Sequence, residues 1–187
     1  RLWMLTGAVA APLLPHLTNS PERDPAVAAI VSRHVLVWTG VACLLVFFFA
    51  DVAVRLLFSA EFAASAAPLR WLLPGIFTLS VGKVLVAEIL ARKKTMYTLL
   101  ISIVAAALNV AGNFILIPQM GIAGAALASS VSYTISSALL VWCYVHETRV
   151  PWTTLLPQLS DFQIYGSVAR QIFSGLDRTF AIRKAQL

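Results

Sequence analysis

The chain has 187 residues, of which 59% are hydrophobic and only 12% charged, and its mean hydropathy is +0.84. Soluble domains carry about 25% charged residues, so this composition excludes an ordinary soluble domain and implies a membrane protein. The net charge of +6 does not point to nucleic acid, because the basic residues stand singly or in short loops between apolar runs, where they set orientation.

The first apolar run, 2–17, is short and interrupted by Pro12 and Pro15, so it reads as the end of a span. It opens on Arg1 without a basic n-region or a small-residue cleavage site, as a chain entered midway would. Residues 18–33 read as a polar loop with Pro21 and Pro25, followed by a short surface helix. A second span is expected over 35–58, with Asp51 and Arg55 spaced i,i+4 at its end for local charge compensation. Spans at 68–91, 96–117 and 122–145 follow, each giving about 33–36 Å of helix, enough to cross a bilayer. Between the last two, Pro118 lacks the N–H to continue a helix and Gly121 permits a sharp reversal. No ten-residue alternating segments appear, which argues against an outer-membrane barrel. The expected fold is therefore an all-α polytopic membrane protein with about five transmembrane helices within 1–147. In the tail, 148–187, Tyr165, Val168, Ala169, Ile172, Phe173 and Leu176 recur at helical spacing. That pattern fits either a basic amphipathic helix over 162–176 on the inner membrane surface or a disordered tail.

Loop charges set the orientation. One side carries Arg23, Arg33, Arg92, Lys93, Lys94 and Arg149; the other carries Arg55, Arg70 and Arg1. The excess places the first side, and with it the C-terminus, in the cytoplasm.

Polar residues inside the spans are the candidates for function. Lys83 lies near the middle of the third span, where a lysine costs about 2.5–3.5 kcal/mol on insertion scales, so it must face a bundle interior or a wet cavity. It either receives an anionic headgroup or snorkels and pairs with a distant helix. Glu88 is nearer the cytoplasmic interface and is either an ion or proton site or the i,i+4 partner of Arg92. Pro74 and Gly75 interrupt the same span, as a transport hinge or as a static kink. Asn109 and Asn113 share one helix face and either bind substrate or join helices by hydrogen bonds. Gly124, Ala128, Ser132 and Ser136 form a ladder of small residues that lets a neighbouring backbone come close. Cys43 and Cys143 read as small buried hydrophobes, and His16, His34 and His146 all lie near span ends, so no metal site is expected. No HExxH, GxSxG, phosphate-cradling loop or carboxylate cluster is present, so neither an enzyme nor a cofactor is expected.

The run LNVAGNFILIPQMGIAGAALASSVSY at 108–133 resembles the penultimate-to-last helix hairpin of polysaccharide flippases in the multidrug/oligosaccharidyl-lipid/polysaccharide exporter superfamily. VRLLFSAEFAASAAPLRWLLPGI at 54–76, the GKVL and ILAR runs at 82–92, APLLPHL at 11–17, and Pro157 with Asp161 are similar to the same family in order and spacing. Ser59 departs from the glycine common there. The resemblance implies that the chain forms most of the C-terminal six-helix lobe of a twelve-helix transporter of two lobes in a bacterial or archaeal inner membrane. It implies a cargo of undecaprenyl-pyrophosphate-linked oligosaccharide, moved to the outer leaflet for surface polysaccharide synthesis by alternating access. On that reading Lys83 binds the pyrophosphate. The partners would be membrane lipids, the remaining N-terminal helices and polysaccharide polymerase or glycosyltransferases. Two other readings stay open: a multidrug and toxin extrusion-type cation antiporter, and a membrane scaffold that does not transport.

Overall fold

The computed structural model describes residues 25–58 and 60–158. The run 2–17, His16, Ser59, Asp161 and the segment 162–176 lie outside the described residues. Among those described, the fold is all-helical, with four helices long and apolar enough to cross a membrane. They are α1 (Pro25–Phe58), α2 (Ala66–Ala91), α3 (Thr95–Met120) and α4 (Ile122–Thr148). Short 3-10 turns precede α2, at Ala60–Ser65, and follow α4, at Trp152–Leu155.

The first difference from the sequence reading is at α1, which is continuous from Pro25, where a loop and a separate surface helix were expected. Proline is at home in a first helical turn, and the alanine-rich stretch after it favours helix. Packing completes the extension. Ala28 and Ala29 are buried in the main apolar cluster with Val81, Leu85 and Ile89 of α2, Leu140 and Tyr144 of α4, and Leu155 of the final turn.

The second difference is at Pro118, which lies inside α3. Its missing N–H removes one bond at the last turn, where the ladder is about to end, and the helix runs on to Met120. The reversal falls on Gly121, at φ 58° and ψ −134°, a backbone region that L side chains avoid. Gly121 N–H donates back to Ile117, while its own carbonyl accepts from Gly124 and Ala125 to start α4.

At the opposite end of the bundle, α2 closes in a Schellman arrangement. Lys93 N–H donates to Leu90 at 2.9 Å and Lys94 N–H to Ile89 at 3.2 Å, with Lys93 itself at φ 60°. Helices α2 and α4 are the interior pair, α1 packs on the far side of α2 and α3 on the far side of α4. Most of α3 is consequently exposed, with Ile101 its one buried residue, while α1 is exposed mainly along its second half, from Val41 on.

Candidate functional site

α4 is flanked by α2 and α3, and it uses small residues toward both. Toward α3, a Cβ on Gly124 would strike the Leu116 carbonyl, and one on Gly112 would lie 3.0 Å from the Ala128 side chain. Ser132 Oγ donates to the Ala105 carbonyl at 2.6 Å. The ladder read from sequence is thus an α3-facing surface over Gly124, Ala128 and Ser132. Toward α2, a Cβ on Gly75 would stand 2.5 Å from Ser130 Cα, and one on Gly82 would stand 2.9 Å from Ser137 Oγ. Seven residues further along each helix come Ile89 and Tyr144, both buried in the main cluster. The register advances by seven on both helices at once, so α2 and α4 run in the same direction, in the repeat of a left-handed pair. This seam was missed in the sequence, although the seven-residue spacings Gly75–Gly82 and Ser130–Ser137 were its signal.

The seam gives Gly75 a packing reason to be glycine. Helix α2 passes through Pro74 without a break. Proline leaves the Arg70 carbonyl without its ladder bond. Next to it, the Thr78 hydroxyl donates to the Pro74 and Gly75 carbonyls at 3.3 and 3.1 Å and meets Thr134 Oγ1 of α4 at 3.2 Å.

Lys83 follows Gly82 directly and is half-buried in α2. One and a half turns on, Glu88 is 3% exposed, and its Oε1 receives Arg92 Nε at 2.8 Å, with Nη2 at 2.7 Å. The i,i+4 pairing expected for these two residues is therefore present, and it neutralises a carboxylate that could not otherwise be buried at so low a cost.

Asn109 and Asn113 lie across α4 from these groups. Asn113 Nδ2 donates to Asn109 Oδ1, and Asn109 Nδ2 donates to Ser129 Oγ of α4, each at 3.0 Å. The pair joins α3 to α4, while Asn113 Oδ1 is buried without a hydrogen bond. The structure therefore brings Asn109 and Asn113 together, and Glu88 with Arg92, but does not gather Lys83 and the asparagines into one cluster.

Where the last turns of α1 meet the first turns of α2, the ion pair differs from the one expected. Asp51 binds Arg70 Nη2 of α2 at 2.6 Å, not Arg55 of its own helix. Arg70 gains more there: Nε donates to the Phe47 carbonyl at 3.1 Å and the guanidinium lies 5.8 Å from the Phe47 ring centroid. An exposed i,i+4 pair on α1 offers neither contact.

Among comparisons with known proteins, the family model described as Lipid II flippase MurJ matches residues 2–165. No curated protein and no solved structure matches the chain significantly.

Proposed function

Because the chain belongs to the lipid II flippase MurJ family, we propose that it works as part of a flippase carrying lipid II, the lipid-linked peptidoglycan precursor, to the outer leaflet by alternating access. The observation behind this reading is the family match, which spans all four described helices. Membership and the four apolar helices make it a multi-pass inner-membrane protein. The cargo in this reading is a cell-wall precursor, where the sequence motifs resemble carriers of surface-polysaccharide oligosaccharides. Both cargoes are lipid-linked and anionic, and that shared chemistry is what a lysine at membrane depth addresses.

Lys83 is the cargo-binding cation in this mechanism. It is half-buried on a helix fixed by close glycine contacts, so its charge is held at a set depth. Asn109 and Asn113 chiefly hold α3 to α4, and the bare Asn113 Oδ1 is an acceptor for a hydroxyl of the cargo or a donor from another helix. The loop after α2 and the end of α4 face the cytoplasm, as their basic residues require. Pro74 is the weak point at which α2 bends during the cycle, and Glu88 joins ion coupling when its bridge to Arg92 opens. The protein acts as a carrier without chemistry on the cargo. The remaining helices of the transporter complete the cavity.

The test is lipid II flipping in cells depleted of their own flippase and supplied with the complete transporter. Lys83→Glu should abolish flipping and Lys83→Arg should retain it, at equal membrane levels of both proteins. Wild-type flipping by Lys83→Glu would remove Lys83 from the mechanism. A wild-type transporter that moves a surface-polysaccharide intermediate but not lipid II would overturn the cargo.

A further inference from the structure

A groove of about 360 Å³ lies between α1 and α2, lined among others by Gly40, Leu44, Phe47, Arg70, Pro74 and Phe77. We propose that it is a phospholipid site, which takes one acyl chain of an ethanolamine phospholipid and seats the headgroup on the Asp51–Arg70 pair. The inference is independent of the cargo assigned above.

The recess exists because side chains are missing or rigid where the two helices pass. Gly40 presents no side chain, and a Cβ there would already lie 3.3 Å from the Phe77 ring. Beyond it, Cys43 Sγ approaches the Leu73 carbonyl at 3.8 Å and bridges the floor. Leu44 is 60% exposed, so the groove opens sideways into the hydrocarbon and not into a closed core. From Arg70 to Phe77 it follows α2 for about 10 Å, from the first turns of the helix toward its middle. A recess of that depth with apolar walls is filled by hydrocarbon in a bilayer, since water there would find no hydrogen-bond partners.

The mouth selects the headgroup. Arg70 uses its Nε on Phe47 and Nη2 on Asp51, which leaves guanidinium N–H groups for a phosphate oxygen. The side chains of Arg70 and Asp51 keep 32% and 57% of their surface exposed. A headgroup with both phosphate and ammonium matches this adjacent cation and anion. A headgroup with negative charge alone meets the Asp51 carboxylate at the same point.

The complete transporter, placed in nanodiscs with a trace of phosphatidylethanolamine carrying an acyl-chain diazirine, tests this on irradiation and peptide mapping. Adducts on 40–47 and 70–77 should exceed those on the exposed Phe114 and Ile115 of α3 by at least about fivefold, as a charge-assisted headgroup contact implies. Gly40→Leu, which fills the recess, should remove the excess. Cys43→Phe narrows it about one turn further along and serves if the first variant fails to fold. Arg70→Gln should bring ethanolamine labelling down to that of a phosphatidylglycerol probe. Equal labelling of the groove and the α3 face would mean bulk lipid only, and an unlabelled groove would mean that another helix covers it. Either result overturns the site, and equal labelling by the two headgroups in the wild type overturns the headgroup assignment.

Discussion

On one side α4 meets α3, a helix of opposite direction joined to it through a single glycine; on the other it meets α2, a helix of the same direction reached only through α3 and its turns. The α3 seam is closely packed and also hydrogen-bonded, through Asn109–Ser129 and Ser132–Ala105. At the end opposite Gly121 an ion pair, Lys94–Glu147, is added. The α2 seam is packed just as closely, at Gly75–Ser130 and Gly82–Ser137, and the Thr78 and Thr134 hydroxyls meet across it at 3.2 Å. Within lipid, where apolar surfaces gain nothing by leaving water, the asparagine and serine bonds add direction and partner to the first seam, while the glycine contacts give the second a fit of shape and dispersion. A seam of the second kind depends on the closeness of its glycine contacts. It should also be the more sensitive to added volume.

The largest effect is expected from volume. Gly75→Ala places a methyl group against Ser130 backbone, which cannot rotate away, and should cost about 1–3 kcal/mol or more. Gly82→Ala meets the Ser137 hydroxyl and a Leu140 methyl group, both of which can turn aside, so its cost should be the smaller. Thermal unfolding of the purified complete transporter checks the order. Equal midpoints for the two variants would mean that α2 and α4 are not pressed together most tightly at Gly75.

Polarity should give a smaller effect, and mainly at the α3 seam. A double-mutant cycle of Asn109→Ala and Ser129→Ala should yield a coupling near the average of about 0.6 kcal/mol for bonds between membrane helices. The same cycle on Thr78 and Thr134 should yield less, because Thr78 already serves the carbonyls of its own helix. A larger coupling for the threonines would reverse the contrast between the seams.

How far these seams were legible in sequence follows from chain distance. The α3–α4 hairpin was readable because its parts adjoin: the ladder at Gly124, Ala128 and Ser132, the asparagine pair four residues apart, and the turn glycine all lie in one stretch. Only the turn was misplaced, because a proline near a helix end loses a bond that the end would have lost in any case. The α2–α4 seam was invisible because its two spacings of seven carry meaning only when set beside each other. Gly75 alone, next to a proline, suggests bending as readily as contact. Arg70 taught the same lesson: i,i+4 spacing pointed Asp51 to Arg55, and the partner from a different helix won by offering three contacts in place of one. For Lys83 the sequence supplied depth, and the structure added a neighbouring close contact at Gly82.

The smallest effect is expected at the open end of the hairpin. Lys94 Nζ lies 3.3 Å from Glu147 Oε1, with the lysine side chain 46% exposed and the glutamate 20% exposed. Lys94 precedes α3 and Glu147 closes α4, so the pair joins the two helices at the end opposite Gly121. Exposed pairs contribute about 0.2–1 kcal/mol, less as salt screens them. Lys94→Glu should lower the unfolding midpoint slightly, and Glu147→Lys should act alike, since each sets like charges face to face. The double reversal should restore most of the loss, and raising the salt concentration should shrink all three differences together. If the single reversals were neutral at low salt, the hairpin would be held by its turn, its close packing and the asparagine and serine bonds, without the ion pair. The contrast with the α2 seam would then rest entirely on contacts within the hydrocarbon.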